Sequence, residues 1–156
     1  GLHGVGGICG INYPGGIIRN CYNTGDISSF DDVTDRIGVA GIAGALRDGD
    51  EASPIVISNC YSVGSIETDA DGGPFGITYA REGDYVIISN CYCSNSYTPI
   101  GHQDSVDYIE ATNVKALFLA QIKSLPYLTG FSTSVWATDP NINDGYPYLI
   151  ALKDTY

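Results

Sequence analysis

The chain has 156 residues, enough for one domain with a substantial core and short for two independent ones. Seven basic residues against eighteen acidic ones give a net charge of −11, which speaks against nucleic acid or an anionic membrane surface as partner, because phosphate binding needs clustered Lys and Arg. Twenty glycines, twelve tyrosines and only 16% charged residues describe a β-rich chain with many tight turns, while the glycines lack the three-residue period of collagen.

The first predicted element is a glycine segment, GVGGICGI at Gly4 to Ile11, and the second a cysteine segment, IIRNCYNTGDI at Ile17 to Ile27. Both recur. GVAGIAGA at Gly38 to Ala45 is followed by VISNCYSVGSI at Val56 to Ile66, and a degenerate ADGGPFGI at Ala70 to Ile77 by IISNCYCSNSY at Ile87 to Tyr97. The glycine segments align Gly7 with Gly41 and Gly73, and Gly10 with Gly44 and Gly76. The Ile, Asn-Cys-Tyr core of the cysteine segments is unbroken. Short β-prone pieces recurring roughly every 30 residues between variable polar loops predict a solenoid, in which each unit buries its apolar face by stacking on copies of itself. We therefore expect an all-β, right-handed parallel β-solenoid (β-helix) of about three coils, with one sheet per segment type, over residues 1–103. Asn20, Asn59 and Asn90 sit at a bend, since Asn tolerates the left-handed conformation. That bend lets Ile18, Ile57 and Ile88 point inward together with Cys21, Cys60 and Cys91.

These repeats resemble the GLUG motif family of bacterial surface proteins, named from a segment of certain immunoglobulin A-cleaving peptidases. VGGICG followed by IIRNCYNTGDI, and VAGIAG followed by VISNCYSVGSI, fit its pattern; ADGGPFG departs from it. The resemblance covers roughly residues 1–97. It implies a non-catalytic module of the extracellular bacterial cell surface, with a role in adhesion or as a structural spacer, and a surface protein or glycan as partner.

Residues 104–156 read as a capping segment packed on the solenoid. Val114, Leu117, Phe118, Ile122 and Leu125 fall at helical spacing, with Thr112 or Asn113 as N-cap and Pro126 near the end, and predict one amphipathic α-helix over 113–125. Trp136 and the DPNINDGYPYLI stretch supply turns and aromatic anchors, and are expected to cover the open final coil. A Trp ahead of GYPYL also resembles a segment that commonly follows such repeats.

No motif specifies catalysis. The glycine segments lack the strand and helix context of a dinucleotide fingerprint and the Lys-Ser or Lys-Thr pair of a phosphate loop. The cysteines read as small buried hydrophobes rather than zinc ligands or nucleophiles, with only His3 and His102 available as bases. Candidate ligand contacts are Tyr22, Tyr61 and Tyr92, which form an aromatic ladder for sugar rings if they point outward and core if inward, the core reading being preferred. The acidic loops holding Asp31, Asp32, Asp69 and Asp71 are the others, and Asp48, Asp50 and Glu51 gather in a further acidic loop. They are read first as solvated loops, and otherwise as a Ca²⁺-stabilised interaction edge or the carboxylates of a carbohydrate-active enzyme. No other cofactor is expected. No stretch approaches the roughly 20 apolar residues that span a bilayer, so direct membrane insertion is not expected either. The chain contains no methionine, so Gly1 does not follow a retained start codon and the sequence reads as part of a longer, secreted protein.

Overall fold

The computed structural model of the chain describes residues 3–29, 37–69, 72–80, 83–102 and 108–155. The chain is all-β with little helix, and its sheets are predominantly parallel. Its strands fall into four rungs. The first contains β1 (His3–Gly6), β2 (Cys9–Asn12), β3 (Ile17–Arg19), β4 (Tyr22–Asn23) and β5 (Ile27–Ser29). The second repeats it as β6 (Ile37–Ala40), β7 (Ala43–Leu46), β8 (Ile55–Ser58), β9 (Tyr61–Ser62) and β10 (Ile66–Thr68). In the third the pieces fuse into β11 (Gly72–Ala80) and β12 (Val86–Ser94), and the fourth consists of β13 (Thr98–His102) and β14 (Ile109–Leu117).

Glycine segments build one six-stranded sheet, in which β1 and β2 pair with β6 and β7, and β11 pairs with β6, β7 and β13. Cysteine segments build the other, in which β3 and β4 pair with β8 and β9, and β12 pairs with β8, β9 and β14. Like stacks on like. Ile18 lies beside Ile57 and Ile57 beside Ile88, and Tyr22 beside Tyr61 and Tyr61 beside Tyr92. Between them, Asn20, Asn59 and Asn90 each have φ 52°. An uninterrupted strand alternates its side chains, so Ile57 and Cys60 would face opposite sides. The left-handed Asn inserts a bend that returns both to one interior, where Ile57, Ile88, Cys60 and Cys91 are fully buried. Each of those isoleucines contributes about 1.5–3 kcal/mol by leaving water.

The fourth rung corrects one expectation. Residues 109–117 are a strand, and not the first part of a helix over 113–125: β14 pairs with β12 from Val86 beside Ile109 to Ser94 beside Leu117. Asn113 has φ 54° and donates through Nδ2 to Asn90 Oδ1 at 3.2 Å, as Asn90 Nδ2 donates to Asn59 Oδ1 at 3.1 Å. IEATNVKAL is thus a fourth copy of the cysteine segment, with Ala111, Val114 and Lys115 at the Ile, Cys and Tyr positions. The helical spacing of Val114, Leu117 and Phe118 is incidental to that register. The α-helix that follows, α1, spans Leu119–Ile122, and a short 3-10 turn covers Leu125–Tyr127. Among the described residues the paired strands form four rungs, and the ladder of the cysteine segments includes Ile109–Leu117.

The third glycine segment also aligns differently. Phe75 pairs with Ala40 and Thr78 with Ala43, after a register shift following Gly72 beside Gly38. This places Gly76, not Gly73, at the level of Gly41, so the true copy of GVAGIAGA is GPFGITYA. Glycine is required in this column because a Cβ on Gly41 would run into the Gly76 carbonyl oxygen, and one on Gly7 into the Gly41 carbonyl oxygen.

The 118–155 segment lies along a flank of the stack rather than over its last rung. A second cluster joins Tyr61 and Tyr92 to Ile122, Leu128, Phe131 and Trp136, and Trp136 reaches Tyr22 in the first rung at 6.0 Å between ring centroids. β15 (Trp136–Ala137) and β16 (Tyr148–Leu149) form a small antiparallel pair that holds this segment together. In β14, Ala111, Thr112 and Lys115 stay exposed. Among the described residues no helix is long and apolar enough to cross a membrane.

The asparagine ladder is open to test. Replacing Asn90 by Ala forces a left-handed Cβ and removes hydrogen bonds on both sides, which should cost about 3 kcal/mol in urea unfolding. Asn90→Gly keeps the backbone free and should lose only about half of that. Equal losses for the two would mean that the positive φ is not what the side chain supports.

Candidate functional site

The tyrosine column is covered. Tyr22 is half-buried, and Tyr61 and Tyr92 are buried beneath the 118–155 segment. They face away from the Ile and Cys interior, because each follows by one position a Cys that packs there, Cys60 and Cys91 buried and Cys21 partly so, and the flanking segment then encloses them. Tyr22 and Tyr61 stack at 5.3 Å with 7° between ring planes. Tyr61 donates its hydroxyl to the Pro147 carbonyl at 2.5 Å and accepts from Asn143 Nδ2 at 2.9 Å, and Tyr92 donates to the Thr129 carbonyl at 3.0 Å. Burial pushes the Tyr61 phenol far above its ordinary range, with the Asn143 hydrogen bond opposing in part.

All five thiols are free. Cys21, Cys60 and Cys91 each donate to the carbonyl two residues earlier, that of Arg19, Ser58 and Ser89, at 3.2, 3.1 and 3.3 Å. The thiol adds a bond to a carbonyl beside the Asn bend, and those of Ser58 and Ser89 also accept from the Asn20 and Asn59 N–H groups at 3.1 and 3.0 Å. A hydrogen bond with Cys60, aided by burial, raises the Cys21 thiol. At Cys60 the bond with Cys21 acts downward, but the bond with Cys91 and burial outweigh it and push the group up to about 12. Burial pushes Cys93 up to about 12 as well. Such thiols are protonated near neutral pH and are poor nucleophiles and metal ligands.

Of the acidic candidates, Asp69 is exposed and the other three, Asp31, Asp32 and Asp71, lie outside the described residues. Among the described residues no three His, Cys, Asp or Glu side chains gather as a metal site would require.

A different group of residues does converge, at the corner where each rung enters the cysteine sheet. Val86 is paired with Ile55 on one side and Ile109 on the other, so the residues just before them, Tyr85 and Tyr108, are neighbours in successive rungs. Their rings stack at 6.1 Å with 25° between planes. Tyr85 donates its hydroxyl to Glu110 Oε1 at 2.5 Å. That bond is the main reason its phenol is raised, with lesser effects of burial and of the Glu110 and Glu51 charges. The loop of the second rung closes the corner: Tyr85 N–H donates to the Gly49 carbonyl at 3.0 Å, and Asp48 N–H donates to Asp84 Oδ1 at 2.6 Å. Asp84 is only 4% exposed, a buried carboxylate whose hydrogen bonding fixes the 48–51 loop. The result is an open cleft of about 360 Å³ lined by Gly49, Asp50, Glu51, Gly83, Tyr85 and Tyr108. Tyr108 is 51% exposed. Asp50 and Glu51 belong to a recognisable acidic loop, but Asp84, Tyr85, Tyr108 and Glu110 were not singled out from sequence. The signal was the fourth repeat: aligning Ile109 with Val86 puts the two tyrosines side by side.

Residues 1–28 match the family model of the GLUG motif, and the chain is consistent with a GLUG-motif repeat protein. The matched residues comprise nearly all of the first rung. No curated protein and no solved structure matches the chain.

The buried phenol gives a pH signature. A raised folded-state pKa means that the neutral form is favoured on folding, so this contribution is complete below the unfolded tyrosine value near about 10 and is lost as pH rises beyond it. The unfolding free energy should fall steeply above that pH, and Tyr61→Phe should reduce the slope while costing about 1 kcal/mol near neutrality through the lost Pro147 bond. An unchanged slope in the variant would contradict the assignment.

Proposed function

We propose that the chain is a non-catalytic extracellular bacterial surface module, a right-handed parallel β-solenoid that adheres to a surface protein or glycan, or spaces or presents the other parts of a longer protein. The observation that carries this reading is how the recurring reactive residue types are used. The aligned Cys, Asn and Tyr of successive rungs stack on one another or are enclosed by the flanking segment, so the repeat spends them on building a regular stack rather than on a convergent reaction centre. A structure of this kind lengthens by adding rungs and leaves its corners and loops free to carry contacts. The GLUG motif match over residues 1–28 fits the same role. The reading needs no cofactor.

Beads coated with the purified chain provide the test, applied to a glycan array and to immobilised bacterial and host surfaces. Retention on at least one of these, lost when free chain competes, is the expected result. Beads that pass over all of them like uncoated ones would overturn the adhesive part.

A further inference from the structure

We propose that the corner cleft between the second, third and fourth rungs is a binding site for an arginine side chain of a partner protein. The inference rests on the adhesive reading and names the chemistry of one of its contacts. Three features of the cleft converge on a guanidinium. The first is its donor and acceptor balance: Asp50 and Glu51 line it and Glu110 borders it, carboxylates that only accept hydrogen bonds. The Tyr85 hydroxyl proton is already committed to Glu110, so the Tyr108 hydroxyl is the side-chain donor left among the described lining residues. A sugar hydroxyl needs both donors and acceptors, whereas guanidinium offers five N–H donors and accepts nothing. The second is shape. The half-exposed Tyr108 ring, held by its stack on Tyr85, is a flat platform of the kind on which a planar guanidinium lies, and the ring quadrupole attracts the charge. The third is charge. Asp50 and Glu51 in the lining, on a chain of net charge −11, favour a cation in the cleft and disfavour acidic ligands.

The cleft is also held in shape in the absence of a partner. Asp84 and the Gly49 carbonyl tie the 48–51 loop to the third rung, and Tyr85 and Tyr108 sit directly before paired strand residues. Little ordering is therefore left to oppose binding.

The test is titration of a labelled oligo-arginine peptide into the full chain at low salt, read by fluorescence anisotropy, with aromatic NMR shifts reporting on Tyr108. Tyr108→Ala, which leaves net charge unchanged, should weaken binding about three- to fivefold. Glu51→Gln should weaken it about two- to fivefold, and Tyr108→Phe should restore most of the affinity. Asp154→Asn, at an exposed position in the C-terminal segment, should change it by less than about 1.5-fold. Because Tyr108 is half exposed, all these variants should melt close to the parent. Equal weakening by Glu51→Gln and Asp154→Asn with Tyr108→Ala unaffected would overturn the site in favour of general attraction to an acidic protein. Tyr108-dependent binding of a neutral oligosaccharide with no response to the arginine peptide would also overturn it. Bead retention without peptide binding would sink this inference and leave the adhesive reading standing; Tyr108-dependent peptide binding without bead retention would do the reverse.

Discussion

One left-handed asparagine per rung sets the geometry on which the rest of the molecule depends. Asn20, Asn59, Asn90 and Asn113 all adopt φ between 52° and 54°, a conformation that costs most L-residues about 1–2 kcal/mol and that Asn offsets by local hydrogen bonding. The bend converts strict strand alternation into a pattern with two buried positions on one side of the Asn column. Ile and Cys then share an interior, and the following Tyr is turned to the outside flank. Side-chain amide bonds from Asn113 to Asn90 and from Asn90 to Asn59 link successive bends, so the ladder that fixes φ also fixes register.

Three consequences follow at different distances from the bend. Directly beside it, the thiol of each Cys donates to the carbonyl of the residue before the Asn, at a position that Val114 fills in the fourth rung. Further out, the outward tyrosines create an apolar flank that cannot remain in water, and the 118–155 segment covers it with Phe131, Leu128 and Trp136. The cap even conforms to the ladder: Gly130 has φ 87°, and a Cβ there would collide with the Asn90 amide. At the opposite end of the cysteine strands the same register brings Tyr85 over Tyr108 and opens the acidic corner cleft.

The parallel sheets, the shared Ile and Cys interior and the Asn bend were legible in the sequence because identical residues must stack on identical residues, and three copies of Ile, Asn-Cys-Tyr expose that rule. The fourth copy was not. IEATNVKAL keeps only the Asn of the motif and replaces Ile, Cys and Tyr with Ala111, Val114 and Lys115, so its apolar residues matched a helical template equally well. GPFGITYA was misaligned for a related reason: adjacent glycines at 72 and 73 hide the extra residue that the strand accommodates by a register shift. The flank cap was legible as aromatic-rich but not as to its destination, since nothing local says which surface Trp136 meets. The corner cleft depends on the fourth rung and so shared its obscurity, and the acidic loops drew attention by composition alone.

One bend, repeated in register, organises the chain through Leu117. Backbone chemical shifts and through-space contacts over residues 109–125 test it most directly. Extended-strand shifts from Ile109 to Leu117, interrupted by a left-handed Asn113, with contacts from Val114 to Cys91 and from Lys115 to Tyr92, are the result this structure predicts. Continuous helical shifts from Asn113 to Leu125, with contacts running between residues three and four apart, would contradict it.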